Sequence, residues 1–132
     1  MRNTRKRRHR SLGEAEQAVM DHIWAFGQVS AEGCREALQA TWPMKDSTIR
    51  TVLRRLEAKG YVTHEVVGRT FLYTAAEASV TVATRAVQHI IDRFCAGSAE
   101  ALVVGMVKNA VLTAPQLERL TRRIAQEKGK KS

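Results

Sequence analysis

The segment KDSTIRTVLRRLEAKGYV, Lys45 to Val62, holds four cations, Arg50, Arg54, Arg55 and Lys59, beside Ser47, Thr48 and Thr51. Guanidinium groups present planar, paired N–H donors, which suit phosphate oxygens and the major-groove edge of guanine. Small hydroxyl residues let a helix approach a groove closely, and a threonine methyl can meet a thymine methyl. The segment reads as a helix capped by Asp46 or Ser47 and ended by Gly60. Its apolar residues Ile49, Val52, Leu53 and Leu56 recur at i, i+3, i+4 and i+7. At about 100° per residue they fall within about 60° of one another. Ser47, Arg50, Thr51, Arg54 and Ala58 then face the other way, with Thr48 and Arg55 on one flank. Glu57 is read as the one acid within the helix, which leaves the basic strip unpaired. Solvated faces normally intersperse both signs.

Other chemistry has little support. His9, His22, His64 and His89 are scattered, and no Ser/His/Asp or paired-carboxylate spacing stands out. There is no P-loop and no GxGxxG. Cys34 and Cys95 lie 61 residues apart, outside any CxxC and without a close His. They read as buried structural thiols, with no metal site and no cofactor expected. An enzyme is not expected.

Three helices and a hairpin must position the basic strip. Leu12, Ala15, Val19, Ile23 and Phe26 form the stripe of a first helix, with Ser11 and Glu14 as a capping-box pair and Gly27 as the stop. Ser30 caps a second helix with stripe Cys34, Ala37 and Leu38, closed by Trp42–Pro43. After the third helix, YVTHEVV and TFLYT flank a turn near Gly68, with Arg69 at the tip. Helix, helix, helix, hairpin is the order of a winged helix-turn-helix. In that arrangement the second helix of the motif enters the major groove. The later arginines and Arg69 then suit phosphates.

The 132 residues carry 22 Lys and Arg against 13 Asp and Glu, a net charge of +9. That predicts attraction to polyanions without specifying a fold. Part of the excess is the leader MRNTRKRRHR, with six basic residues and no acid. Residues 1–11 are expected to be a disordered basic tail, either adding a DNA contact or acting as a solubilising extension. The leader lacks the apolar run of a secretory signal. No stretch approaches the ~18 apolar residues of a membrane span. A cytoplasmic protein without membrane insertion is expected.

Residues 12–76 form the expected DNA-binding domain and residues 77–127 a helical region, with 128–132 a frayed tail. The helical region has stripes of Ala83, Val87, Ile90, Ile91 and Phe94, then of Leu102, Val103, Met106 and Val107, then of Leu117, Leu120 and Ile124. Ser98 caps the second of these helices, and Thr113 with Gln116 the third. So thin a layer has too little core to fold alone, and a second copy of the chain is the simplest cover.

Four segments in order, LGEAEQAVMDHIW, STIRTVLRRLEAKGYV, GRTFLY and DRFCAGSAEALV, resemble the penicillinase-repressor family of bacterial transcription repressors. This is the BlaI/MecI group, which also includes the CopY copper-responsive repressors. The resemblance runs from Leu12 to about Ile124. It implies a homodimeric repressor whose winged helices each bind half of a palindromic operator in double-stranded DNA. Val87, Ile90, Ile91, Phe94, Leu102, Val103, Met106, Leu117, Leu120 and Ile124 would build the dimer interface. Ser47, Thr48, Arg50 and Thr51 match the family's DNA-contacting positions, with Arg50 and Thr51 for bases. Arg54, Arg69 and Arg55 would hold phosphate, and Lys59 would complement the helix dipole.

Two departures qualify the resemblance. The family's β-lactamase branch is inactivated by a membrane sensor protease cutting between Asn and Phe. The matching pair here is Gly105–Met106, so this sequence does not show the expected cut site, and the resemblance leaves that region only as the place where a sensor protease could cut. The copper branch carries a C-terminal Cys-x-Cys, and RRIAQEKGKKS has none. The composition alone also admits a non-specific, architectural nucleic-acid binder, or a winged helix that holds protein. Salt dependence and sequence preference separate these readings.

Overall fold

The computed structural model describes residues 12–131. In chain order the elements are α1 (Glu14–Phe26), β1 (Gln28–Ser30), α2 (Ala31–Ala37), α3 (Asp46–Ala58), β2 (Val62–Val67), β3 (Thr70–Ala75), α4 (Ser79–Phe94), α5 (Ala99–Lys108) and α6 (Ala114–Lys131). Two compact units divide at Ala83 and Thr84, within α4. The basic leader and its expected disorder lie outside the described residues.

In the first unit, α1 buries Val19, Met20 and Ile23 completely. Its start differs from the expected Ser11–Glu14 pair. Gly13 is the N-cap, and its N–H donates to Oε1 of Glu16 at 2.8 Å. Ser11 lies outside the described residues. Gly27, at φ +95°, turns the chain out of the helix. The next three residues form β1, a strand too short to leave a periodic signal. Ser30 ends that strand and also caps α2, its Oγ accepting from the Gly33 N–H at 3.0 Å.

Helix α2 ends at Ala37, before Trp42–Pro43. Its buried side consists of Ala31 and Cys34, continued by Leu38, whereas Ala37 is exposed. Helix α3 is capped by Lys45, so Asp46 is its first residue. Ile49, Leu53 and Leu56 are fully buried and Val52 nearly so.

Strands β2 and β3 form an antiparallel hairpin, in register from Val62↔Ala75 to Val67↔Thr70. Gly68 and Arg69 make its two-residue turn, with Gly68 at φ +65°. Strand β1 joins the other side of β3, giving the order β1-β3-β2. Val29, Val62 and Tyr73 extend the core from the sheet. Trp24 donates from Nε1 to the Glu77 carbonyl at 2.9 Å, returning the chain after β3 to α1. These elements are a winged helix-turn-helix, with β2 and β3 as the wing.

One ion pair fixes α3 from behind. Lys59, its C-cap, places Nζ 2.7 and 2.9 Å from the two oxygens of Glu16 in α1. Glu16 is 7% exposed. Lys59 therefore anchors α3 to α1, beyond the dipole role its sequence position suggested. Burial pushes the Glu16 carboxyl up. Hydrogen bonds from Lys59 and the Gly13 N–H outweigh it, so the carboxyl titrates below its ordinary value. Cys34 is fully buried, and burial pushes its thiol up to about 11, so little reactive thiolate forms.

The second unit takes in most of α4, with α5 and α6. Ala96 at φ +49° and Gly97 at φ +82° separate α4 from α5. Ser98 Oγ accepts from the Ala101 N–H at 3.0 Å. Thr113 and Gln116 cap α6 reciprocally, at 2.8 and 3.2 Å. Helix α6 continues to Lys131, through the segment expected to fray. Among the described residues of this unit, Ile91 alone is buried.

Candidate nucleic-acid interface

Helix α3 presents Ser47, Thr48, Arg50, Arg54 and Arg55 to solvent, because Ile49, Val52, Leu53 and Leu56 occupy its other side. Thr51 is half-buried, and its hydroxyl donates to the Ser47 carbonyl at 3.0 Å. With that donor engaged, the methyl remains for an apolar contact.

Arg50, Arg54 and Arg69 line one open cleft of about 380 Å³ between α3 and the wing. Phe71 and Tyr73 of β3 and Glu32 of α2 share its walls. Residues 19 positions apart, from Arg50 to Arg69, thus converge on one concavity. Ser47, Thr48, Thr51 and Arg55 do not line it. The charge of Arg55 instead reaches Glu16.

The basic strip is not unpaired. Asp46 lies one turn before Arg50 and accepts from its Nε at 2.9 Å through Oδ2. Both side chains are more than half exposed. The hydrogen bond from Arg50 holds the Asp46 carboxyl below its ordinary range, helped by the charges of Arg50 and Arg35. Asp46 in turn raises the Arg50 guanidinium, with smaller contributions from Tyr73 and Glu32. The i, i+4 acid–base spacing is visible in the sequence, but with Asp46 or Ser47 as the expected cap, Asp46 falls outside the expected helix.

Glu57, the acid recognised within α3, faces the wing. His64 Nδ1 of β2 lies 2.8 Å from both of its oxygens. The His64 ring stacks on Phe71, with centroids 4.2 Å apart and planes 6° from parallel. It also meets Tyr73 at 5.6 Å. A chain of contacts therefore joins the end of α3 to the strand carrying the cleft's aromatic wall. Burial raises the Tyr73 hydroxyl and Glu57 adds to it, while Arg50 and Arg54 draw it down. The sequence reading does not foresee these roles of Asp46, Glu32, His64 and Phe71, since strand pairing sets His64 opposite Tyr73 and diagonal to Phe71 and helix packing places Glu32.

The residues expected at a dimer interface divide by exposure. Val87, Ile90, Phe94, Leu120 and Ile124 are exposed, Phe94 by 75%. Leu102, Val103, Met106 and Leu117 are half-buried, and Ile91 is buried. Val104 and Val111 are further exposed apolar residues of this unit. Gly105 and Met106 lie half-buried within α5, where the Gly105 carbonyl accepts from the Asn109 N–H and Nδ2, both at 2.9 Å. Among the described residues, no helix is long and apolar enough to cross a membrane, and no three or more His, Cys, Asp or Glu are grouped to hold a metal.

An uncharacterized 16.5 kDa protein of Latilactobacillus sakei is 33% identical over 100 residues, spanning 76% of this chain and 62% of its own length. The penicillinase repressor of Bacillus licheniformis is 26% identical over 121 residues, or 91% of this chain and 94% of that protein. The solution structure of Bacillus licheniformis BlaI, in its monomeric form in complex with the blaP half-operator, is 31% identical. It covers 54% of this chain and 87% of that one, with a TM-score of 0.47. The sequence pattern of the penicillinase repressor family matches residues 12–126. The chain belongs to the penicillinase repressor family, a family of DNA-binding transcriptional repressors.

Proposed function

We propose that this protein binds a palindromic operator in double-stranded DNA as a homodimer and represses transcription in the bacterial cytoplasm. Its role is binding rather than catalysis. The observation that carries the reading is the convergence of Arg50, Arg54 and Arg69 on one cleft between α3 and the wing. Helix α3 enters the major groove, Arg50 and Thr51 meet bases, and Arg54 and Arg69 hold phosphates. Ser47 and Thr48 lie along the groove, with Arg55 at its edge. The wing, clamped to α3 through His64 and Glu57, brings Arg69 to the backbone.

Dimerisation through the second unit supplies the two-fold symmetry. Its exposed Val87, Ile90, Phe94, Leu120 and Ile124 are the support for that assignment. Two half-sites one helical turn apart, or a multiple of it, follow from the symmetry. A sensor protease acting at Gly105–Met106 would first have to open α5.

Arg50→Ala tests the recognition surface. It is expected to cost about 1–3 kcal/mol at the preferred site and to relax specificity there. A footprint unchanged in affinity and sequence preference removes α3 from the reading. A non-specific binder driven by charge alone would show a steep salt loss on every sequence alike.

A further inference from the structure

We infer that Asp46 is a positioning residue for Arg50, fixing its guanidinium so that each half-site is read at a guanine. The inference rests on the DNA-binding reading above. Asp46 Oδ2 takes the single N–H of Arg50 Nε at 2.9 Å. That bond fixes one edge of the planar guanidinium and leaves the terminal nitrogens, Nη1 and Nη2, with their four N–H donors. Two of those donors, held in parallel, match guanine O6 and N7. Adenine offers N7 beside an amino donor, so one of the two arginine donors would face another donor. Thymine offers one acceptor and cytosine a donor. An arginine presented end-on is thus selective for guanine, whereas a freely rotating one would also settle on phosphates.

The position of the pair fits this task. Asp46 and Arg50 occupy the first turns of α3, where a helix of this type meets base edges. As an exposed i, i+4 pair it adds little to folding stability. A carboxylate on a face that approaches a polyanion also lowers affinity for every sequence alike. Orientation of Arg50 is what Asp46 supplies in return. Glu32, the acid that lines the cleft, acts on Arg50 through its charge, and Asp46 supplies the directional bond. When DNA displaces water, that charge-assisted bond strengthens in the lower dielectric.

The test is selection by the full-length chain from a random double-stranded DNA library, followed by affinity measurements on the enriched duplex and its single-base variants. The unaltered protein is expected to enrich one guanine in each half-site. Asp46→Ala, which removes the acceptor of the Arg50 Nε bond, is expected to reduce the preference for guanine over adenine at that position on the order of tenfold, leaving other positions as they were. Its affinity for random duplex should stay equal or rise. In an Arg50→Lys background, which retains charge but not the planar fork, Asp46→Ala should produce no further loss at that position. The inference is overturned if guanine preference survives Asp46→Ala, or if preference falls equally at all positions. A uniform shift across all duplexes with guanine preference unchanged would reduce Asp46 to a charge effect and overturn it too. An unaltered protein that enriches no motif would refute the DNA-recognition reading itself, and the positioning role with it.

Discussion

Leu53 in α3 and Ile124 in α6 are both apolar residues on helical stripes, yet Leu53 is fully buried and Ile124 is 51% exposed. The difference separates the two units. In the first, three helices are closed by a three-stranded sheet, and Val29, Val62 and Tyr73 cover what the helices alone would leave open. In the second, Phe94 and Ile124 on the helical stripes, with Val104 of α5 and Val111 in the turn before α6, are more than half exposed. A helical stripe records that a residue needs cover, and it does not say whether the chain provides it.

The largest effect should come from the core. Leu53→Ala is expected to cost about 2–5 kcal/mol, read as a lower urea midpoint independent of protein concentration. Ile124→Ser should leave that midpoint nearly unchanged at low concentration and weaken self-association in sedimentation. An equal loss in both variants at every concentration would erase the distinction between the units.

The next largest effect lies within the first unit. Lys59→Met leaves the Glu16 carboxylate buried without its cation, at an expected cost of about 1–3 kcal/mol near neutral pH. The sign with pH follows from the lowered folded value. The Glu16 contribution is fully present above its ordinary value of 4.5 and is lost as pH falls through the lower folded value. In Lys59→Met that acid-side loss should shrink or reverse, which urea titrations at a series of pH values would measure.

The smallest effect belongs to the second unit. Ala110, after α5, has φ +63°, where a Cβ is strained. Ala110→Gly is expected to gain about 0.5–1 kcal/mol, confined to that turn in hydrogen exchange. A loss instead would mean that the methyl makes a contact outweighing the strain.

Much of the first unit was legible because its signals are local. The stripe Ile49, Val52, Leu53 and Leu56 defined the buried side of α3, and hence the outward side bearing Arg50 and Arg54. Ser30 here, and Ser98 and the Thr113–Gln116 pair in the second unit, act within one turn of themselves, so their capping roles could be read directly. Gly68 with Arg69 marked the hairpin turn. Features depending on distant partners were missed. Strand β1 owes its assignment to pairing with Leu72, Tyr73 and Thr74. Lys59 meets Glu16 across 43 positions. The pairing of Asp46 is lost for a local reason: its spacing from Arg50 is visible, but a cap at Asp46 or Ser47 starts the expected helix after Asp46, whereas the helix begins at it.

A basic helix with one apolar side, followed by a hairpin with a basic tip, is already written in the order of the residues. Periodicity and turn chemistry are properties of neighbours along the chain, so no fold was needed to read them. Packing in three dimensions selects which charges share a cleft and which are spent on holding the fold together. Arg50, Arg54 and Arg69 converge only when the wing folds back to face α3 across the cleft, while Lys59 is withdrawn to Glu16 and Glu57 is turned to His64. Electrostatic and hydrogen-bond partners are set by distances of a few ångströms, and those distances exist only once the helices and sheet have packed.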